Sequence, residues 1–272
     1  MKYPPLRRKH NVMHYNFDSF HVVSPVNEPE TLRRCLAASP DIASGRVRIT
    51  TVDSAPSAVA VIADALQNLE APIIIYAHQD VYLPSGFFET LAHQLDALDE
   101  RAPGWALVGA IGRDSAQNDH GEVWSTDRGK VVGKPIVGPA AVDCVDECLI
   151  VLPKRSLAYV DANVPHFHLY GVDIVQNAKE AGATSFALPM QIVHHAKPIT
   201  SLAGGYATAH KYMRLKWRSR LPITTLIVPL ERTPWKLWKM RVGARIRRFF
   251  PVRHGYGQST DPRSIAQELG YE

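Results

Sequence analysis

Ile73-Ile74-Ile75-Tyr76-Ala77-His78-Gln79-Asp80-Val81-Tyr82-Leu83-Pro84 is the stretch that decides the fold. Three consecutive isoleucines read as a buried parallel strand, because a strand covered on both faces needs no polar alternation. The strand runs straight into His78-Gln79-Asp80, and Pro84 closes the segment. In open α/β sheets, ligands bind beyond the carboxyl ends of the parallel strands. A carboxylate at such an end can hold a divalent cation, and the cation a diphosphate. It can equally cap a turn.

The same grammar continues outward on both sides. Phe20–Val26 reads as a strand, Glu28–Ala38 as a helix, Arg46–Val52 as an alternating strand and Ala58–Leu69 as a helix. Downstream, Phe87, Leu91, Leu95 and Leu98 form one apolar stripe over Gly86–Asp99. Trp105–Ile111 is a further buried strand. Three strand–helix units in succession predict a Rossmann-like, mostly parallel sheet with helices on both faces. After Gly121 the order changes. Asp127-Arg128-Gly129 predicts a hairpin turn, Cys144–Leu152 one strand, Tyr170–Ala181 a helix ended by Gly182, and Leu202–Arg218 another helix. Residues 251–272 are expected to form a loosely ordered tail.

Composition narrows the class. The 272 residues, 46% of them hydrophobic, suffice for one large α/β domain. Cys35, Cys144 and Cys148 are too few for a disulfide framework and fit a reducing cytoplasm. No run of apolar residues is long enough for a transmembrane helix. There is no glycine-rich dinucleotide or P-loop fingerprint. The net charge of +5 is concentrated at the edges: Lys2, Arg7, Arg8 and Lys9 at one, and residues 211–253 at the other.

Four blocks then carry a family resemblance. His78-Gln79-Asp80 with Pro84 and Gly86-Phe87-Phe88 resembles the metal-binding region of family-2-like nucleotide-sugar glycosyltransferases of the GT-A fold. Val142–Val151 is similar to their acceptor-side strand, Phe167–Asp173 to the segment with their catalytic base, and Val193-His194-His195 to their late metal-ligand histidine. The resemblance covers roughly residues 20–196. It implies a GT-A (Rossmann-like) catalytic domain over 1–220, followed by a basic helical extension and tail over 221–272.

The roles the resemblance implies are these. Asp173 would be the general base of an inverting displacement. Ser24, Asp53, His78, Gln79 and Asp80 would meet the nucleotide-sugar donor. Asp146, Glu147, His168 and Tyr170 would shape the acceptor or sugar pocket. Asp80 with His194 or His195 would hold Mn2+ or Mg2+. A histidine at the first acidic position of the D-x-D element, His78, departs from the commoner pattern. His166-Phe167-His168 reads as pocket lining rather than a second metal site. The acceptor expected is a glycan or a lipid-linked hydroxyl compound. A non-catalytic relative that binds glycan or nucleotide shares these residues, as does a metal-dependent hydrolase using His78, Asp80, His194 and His195.

Trp235, Trp238, Val242, Ile246 and Phe249 follow helical spacing with Lys and Arg between them. Residues 235–250 therefore suit either an interfacial helix on anionic lipid at the inner membrane surface or a helix packed on the domain. No nucleic-acid-binding module is recognisable.

Overall fold

The structure is a computed structural model that describes residues 14–197, 202–247, 257 and 260–272. The N-terminal basic cluster and the residues from Arg248 to Phe250 lie outside the described residues, as does the side chain of Ile246.

Along the chain, β1 (Phe20–Val26) leads through α1 (Pro29–Arg34) and α2 (Pro40–Ala43) to β2 (Arg48–Asp53). Then come α3 (Ala58–Asn68), β3 (Ile73–Ala77), β4 (Val81–Tyr82) and α4 (Phe87–Arg101). Seven short strands follow: β5 (Val108–Gly109), β6 (Ile111–Arg113), β7 (Asp119–Ser125), β8 (Lys130–Lys134), β9 (Ala140–Val142), β10 (Cys144–Val145) and β11 (Leu149–Pro153). The rest is α5 (Tyr170–Glu180), β12 (Ser185–Ala187), β13 (Val193–His194), α6 (Gly205–Lys216), α7 (Trp235–Arg247) and α8 (Pro262–Glu268).

The main sheet has the order β2-β1-β3-β11-β5-β12-β9. β1 pairs parallel with both β2 and β3, and β5 pairs parallel with β12. β11 runs against β3 and β5, and β9 against β12. Only β11 and β9 oppose the common direction, so the sheet is mixed and mostly parallel, with helices on both faces.

Strand alternation explains the two faces. Phe20, Val22, Ile73, Ile75, Leu149 and Val151 join one core with Phe88, Leu91, Leu95 and Leu98 of α4. Val23, Ile74, Tyr76, Ile150 and Leu152 join the other with α3 and α5. Burying each isoleucine of β3 contributes roughly 2 kcal/mol, which fixes this strand at the sheet centre. Ser57 caps α3, its hydroxyl accepting from Ala60 N at 3.3 Å.

A second sheet, β10-β6-β7-β13-β4 with β8 on β7, stands beside the first. The expected single strand Cys144–Leu152 is in fact two, one per sheet. Asp146 breaks it: its backbone N bonds Ile111 O at 2.8 Å while its carboxylate accepts from Cys148 N at 2.9 Å. β7 can approach the link between β5 and β6 because Gly121 sits at φ +83 with no side chain. A Cβ there would lie 2.1 Å from Ala110 O.

Of the expected loose tail, residues 260–272 are ordered, while 251–256, 258 and 259 lie outside the described residues. Asp261 caps α8, and Ile265 and Ala266 are buried against Tyr82, Trp124 and Val193. The chain crosses residue 220 inside one packed cluster that joins Met213, Trp217, Leu221, Val228, Leu230 and Leu237. Among the described residues, no helix is long and apolar enough to cross a membrane.

Candidate functional site

β1, β2 and β3 end side by side, and each delivers a polar loop: Asn27-Glu28, Ser54 and His78-Gln79-Asp80. Backbone bonds pin the third loop. His78 N donates to Cys148 O at 2.8 Å, and His195 N donates to Asp80 O at 2.7 Å. Gln79 clamps the first loop, its side-chain carbonyl accepting from Asn27 N at 3.1 Å and Glu28 N at 3.0 Å.

The short antiparallel pairing of β4 with β13 sets His194 opposite Val81, next to Asp80. Adjacent strand residues point to opposite faces. The ring of His194 therefore reaches Asp80, with Nε2 3.4 Å from Oδ1. His195 is buried, its ring lying 3.2 Å from Thr126 Oγ1. Of the two expected ligands, His194 is the one whose ring joins the Asp80 carboxylate in this group. His78 completes a trio whose potential ligand atoms lie within 4.8 Å of one another.

Asp80 Oδ1 is buried and takes no hydrogen bond of good geometry, although His194 lies at ion-pair distance. A buried oxygen left short of donors is costly unless something pairs with it. Burial pushes the Asp80 carboxyl up, but His194 and His78 outweigh it and hold the group below the usual carboxylate range. Burial opposes charge on His194, yet Asp80 raises its pKa to about 9.

Tyr170 steadies the third member. Its hydroxyl donates to Glu147 O at 2.8 Å and lies 3.2 Å from His78 Nε2. Its one proton is thus committed, so Nε2 of His78 is the N–H donor and the lone pair stays on Nδ1. Two imidazoles and one carboxylate, with an orphaned carboxylate oxygen among them, fit a divalent cation with open coordination positions. Asp146, Cys148 and His194 form an overlapping group within the same span. Burial pushes the Cys148 thiol well up.

Two hollows flank the trio. A cleft of about 810 Å3 carries Asp80, Asp146 and His194 on its floor and Arg113, Arg128, Lys130 and Lys197 on its walls. A lobe of about 440 Å3 lies at the ends of β1 and β3, lined by Ser54, Tyr76, His78 and Phe167. The two share Asn27, Gln79 and Asp80. Arg113 is engaged by Asp119 at 2.6 Å, and Lys197 by Glu28.

The remaining expected residues divide. Ser24 is fully buried inside β1 and Asp53 is exposed at the end of β2; neither lines the cleft or the lobe, whereas Ser54 lines the lobe. Glu147 faces away from the cleft as a cap, its carboxylate accepting from Leu169 N at 3.0 Å and Gly171 N at 2.8 Å at the start of α5. His168 is exposed with its ring 5.4 Å from that of Tyr206.

Asp173, the base that the resemblance implies, lies in the interior. Its side chain has no exposed surface, and it is held by Lys216 Nζ and Trp217 Nε1, each at 2.8 Å, and by Asn177 Nδ2 at 2.9 Å. It joins α5 to α6 and lines neither of these two hollows. Sequence reasoning missed Arg128 and Lys130, which the β7–β8 hairpin carries into the cleft wall. Their only signal was a polar turn.

No protein-family model matches the chain. A protein named ATP synthase subunits region ORF 6, from Fuscovulum blasticum, is 25% identical over 145 residues, or 49% of this chain and 55% of that protein. The chain thus spans about half the length of the curated relative it matches. Among solved structures, it is similar to the mannosyltransferase PcManGT from Pyrobaculum calidifontis in complex with GDP-Man and Mn2+. The identity is 12% and the TM-score 0.46, over 93% of this chain and 79% of that one. It is also similar to glucosyl-3-phosphoglycerate synthase from Mycobacterium tuberculosis in complex with Mn2+, UDP and phosphoglyceric acid. There the identity is 14% and the TM-score 0.44, over 77% and 80%. TM-scores below 0.5 leave the activity to be argued from the site itself.

Proposed function

We propose that the chain is a GT-A-type glycosyltransferase that moves a sugar from a nucleotide-sugar donor to the hydroxyl of a glycan or lipid-linked acceptor. The observation that carries this reading is the convergence of His78, Asp80 and His194 at the floor between two hollows at the carboxyl edge of parallel strands. One hollow suits a base and ribose, with Phe167 and Tyr76 as aromatic walls; the other has room for a sugar and an acceptor.

His78 Nδ1, a carboxylate oxygen of Asp80 and a ring nitrogen of His194 would hold a divalent ion. Two imidazoles favour Mn2+ over the oxygen-loving Mg2+. When bound, such an ion supplies positive charge to a leaving diphosphate. Arg128 and Lys130 on the cleft wall would add fixed charge where phosphates enter.

With Asp173 sealed in the interior, Asp146 is the carboxylate placed to take the acceptor's proton. It lines the large cleft, lies in the overlapping group with His194, and accepts from Cys148 N through one oxygen. In an inverting displacement the acceptor oxygen bonds to the anomeric carbon, the bond to the diphosphate breaks, and the acceptor proton passes to this carboxylate.

Thermal melting in the presence of UDP, GDP, CDP and their sugars, each with and without Mn2+, tests the reading. A ligand that binds only the native state raises its apparent stability. A Mn2+-dependent rise with one nucleotide, lost in Asp80→Ala, and donor turnover lost in Asp146→Asn are expected. Nucleotide binding without turnover would identify a binding relative. Phosphoester or amide cleavage without any sugar donor would identify a hydrolase.

A further inference from the structure

Helix α7 carries a surface that the catalytic reading leaves unused. It rests on the body through Leu237, which is buried, and Met240, which packs on the same cluster. At helical spacing Trp235, Trp238 and Val242 fall within an arc of about 60° on the opposite side. All three are exposed, by 59%, 53% and 40%. The two indoles stack on each other at 4.7 Å instead of folding onto the protein. Exposed Lys239 flanks this stripe on one side and exposed Arg241 on the other.

Helix amphipathicity normally turns large apolar residues inward. Here two tryptophans are displayed to solvent on a helix whose inward anchor is already provided by Leu237. The charge around them is one-sided. Residues 211–247 contain eleven Lys and Arg and a single acid, Glu231, while the whole chain has a net charge of only +5. Several of these cations are internally engaged: Lys216 by Asp161 and Asp173, Lys236 by Glu231, Arg220 by Glu180. Lys239 and Arg241 stand beside the indoles and, among the described residues, pair with no carboxylate.

We infer that the outer face of α7 docks the protein on an anionic lipid bilayer. Indoles prefer the headgroup level, where their apolar body is buried and the N–H stays hydrated. Lys and Arg at the rim of such a stripe meet acidic headgroups. A second copy of the chain is a poor occupant, because two like-charged faces would repel. The inference is independent of the proposed activity.

Vesicle flotation of the full chain is the test, using phosphatidylcholine vesicles with and without one quarter phosphatidylglycerol. Binding to the anionic vesicles is expected to exceed binding to the neutral ones by about tenfold or more, and to weaken with added salt. The Trp235→Ala/Trp238→Ala double variant and the Lys239→Glu/Arg241→Glu variant should each lose about tenfold in binding. Unchanged melting temperatures would show that both remain folded. Equal flotation on both vesicle types, no flotation, or wild-type flotation by the double tryptophan variant would overturn the inference. So would a concentration-dependent dimer in lipid-free solution that the same variant abolishes, because the face would then belong to a second copy.

Discussion

Replacing Asp173 separates a structural acid from a catalytic one. In Asp173→Ala, Lys216 keeps Asp161 at 2.7 Å and Asn177 keeps Tyr159 O at 2.8 Å. Trp217 Nε1 loses its acceptor inside the core, where the ring is only 4% exposed. An orphaned buried donor costs about 1–3 kcal/mol, and breaking a buried ion pair about 3–5 kcal/mol. Since Lys216 retains a carboxylate, the total should fall near about 3 kcal/mol. For a chain of this size each kcal/mol moves Tm by about 2–4 °C, so a fall of about 9 °C is expected. Asp173→Asn keeps an oxygen for Trp217 and should cost about 1–2 kcal/mol. Urea denaturation measures both variants, and turnover with the donor identified by melting measures the second role. The reasoning fails if Asp173→Ala melts within about 2 °C of wild type. It fails equally if Asp173→Asn folds normally yet loses more than about a hundredfold in turnover, the scale of a missing general base.

Asp80→Ala leaves the buried His194 imidazole without its carboxylate and should cost about 2–3 kcal/mol of ligand-free stability at neutral pH, read by urea denaturation. The same variant should erase any Mn2+-dependent rise in Tm, and calorimetry with Mn2+ alone checks this. Gly121→Ala should cost about 3 kcal/mol or more, since it places a Cβ against Ala110 O at a left-handed backbone position; loss of soluble expression or early urea unfolding would show it. Burial, reinforced by the charge of Asp146, raises the Glu147 carboxyl from 4.5 to about 8 despite the N–H donors of Gly171 and Leu169. A raised folded pKa means that this contribution to stability is complete below pH about 4.5 and is lost as pH climbs through about 8. Denaturation at pH 5 and pH 8 should show that slope, and Glu147→Gln, which keeps an acceptor but cannot ionise, should flatten it.

The sheet centre was legible because it is built from uninterrupted apolar runs. Ile73-Ile74-Ile75 could serve both faces, and the stripe Phe87, Leu91, Leu95, Leu98 could serve only one. The apolar run Cys144–Leu152 was misleading for the same reason: it is buried on both sides of a change of sheet, and only the bond from Cys148 N to Asp146 marks the break. Asp173 looked identical in sequence whether it opened onto a pocket or closed onto the core. Its partners Lys216 and Trp217 are 43 and 44 residues away, beyond any local pattern. The choice between His194 and His195 needed the register of β13 against β4, which two-residue strands do not announce. Helix α8, in contrast, had a readable start in Asp261-Pro262, a cap followed by a proline at the first helical position.

The clip between β4 and β13 holds Asp80 beside His194 with only two residues on each side. Its back is closed by Ile265 and Ala266 of α8 against Tyr82 and Val193, and Tyr82 Oη bonds the Glu272 carboxylate. A ribosome emits His78 and Asp80 early, His194 much later, and this backing later still. Contacts so distant along the chain form slowly. While it is being made, the nascent polypeptide therefore carries His78 and Asp80 without His194. The floor between the two hollows is complete only after the carboxyl-terminal residues have been added.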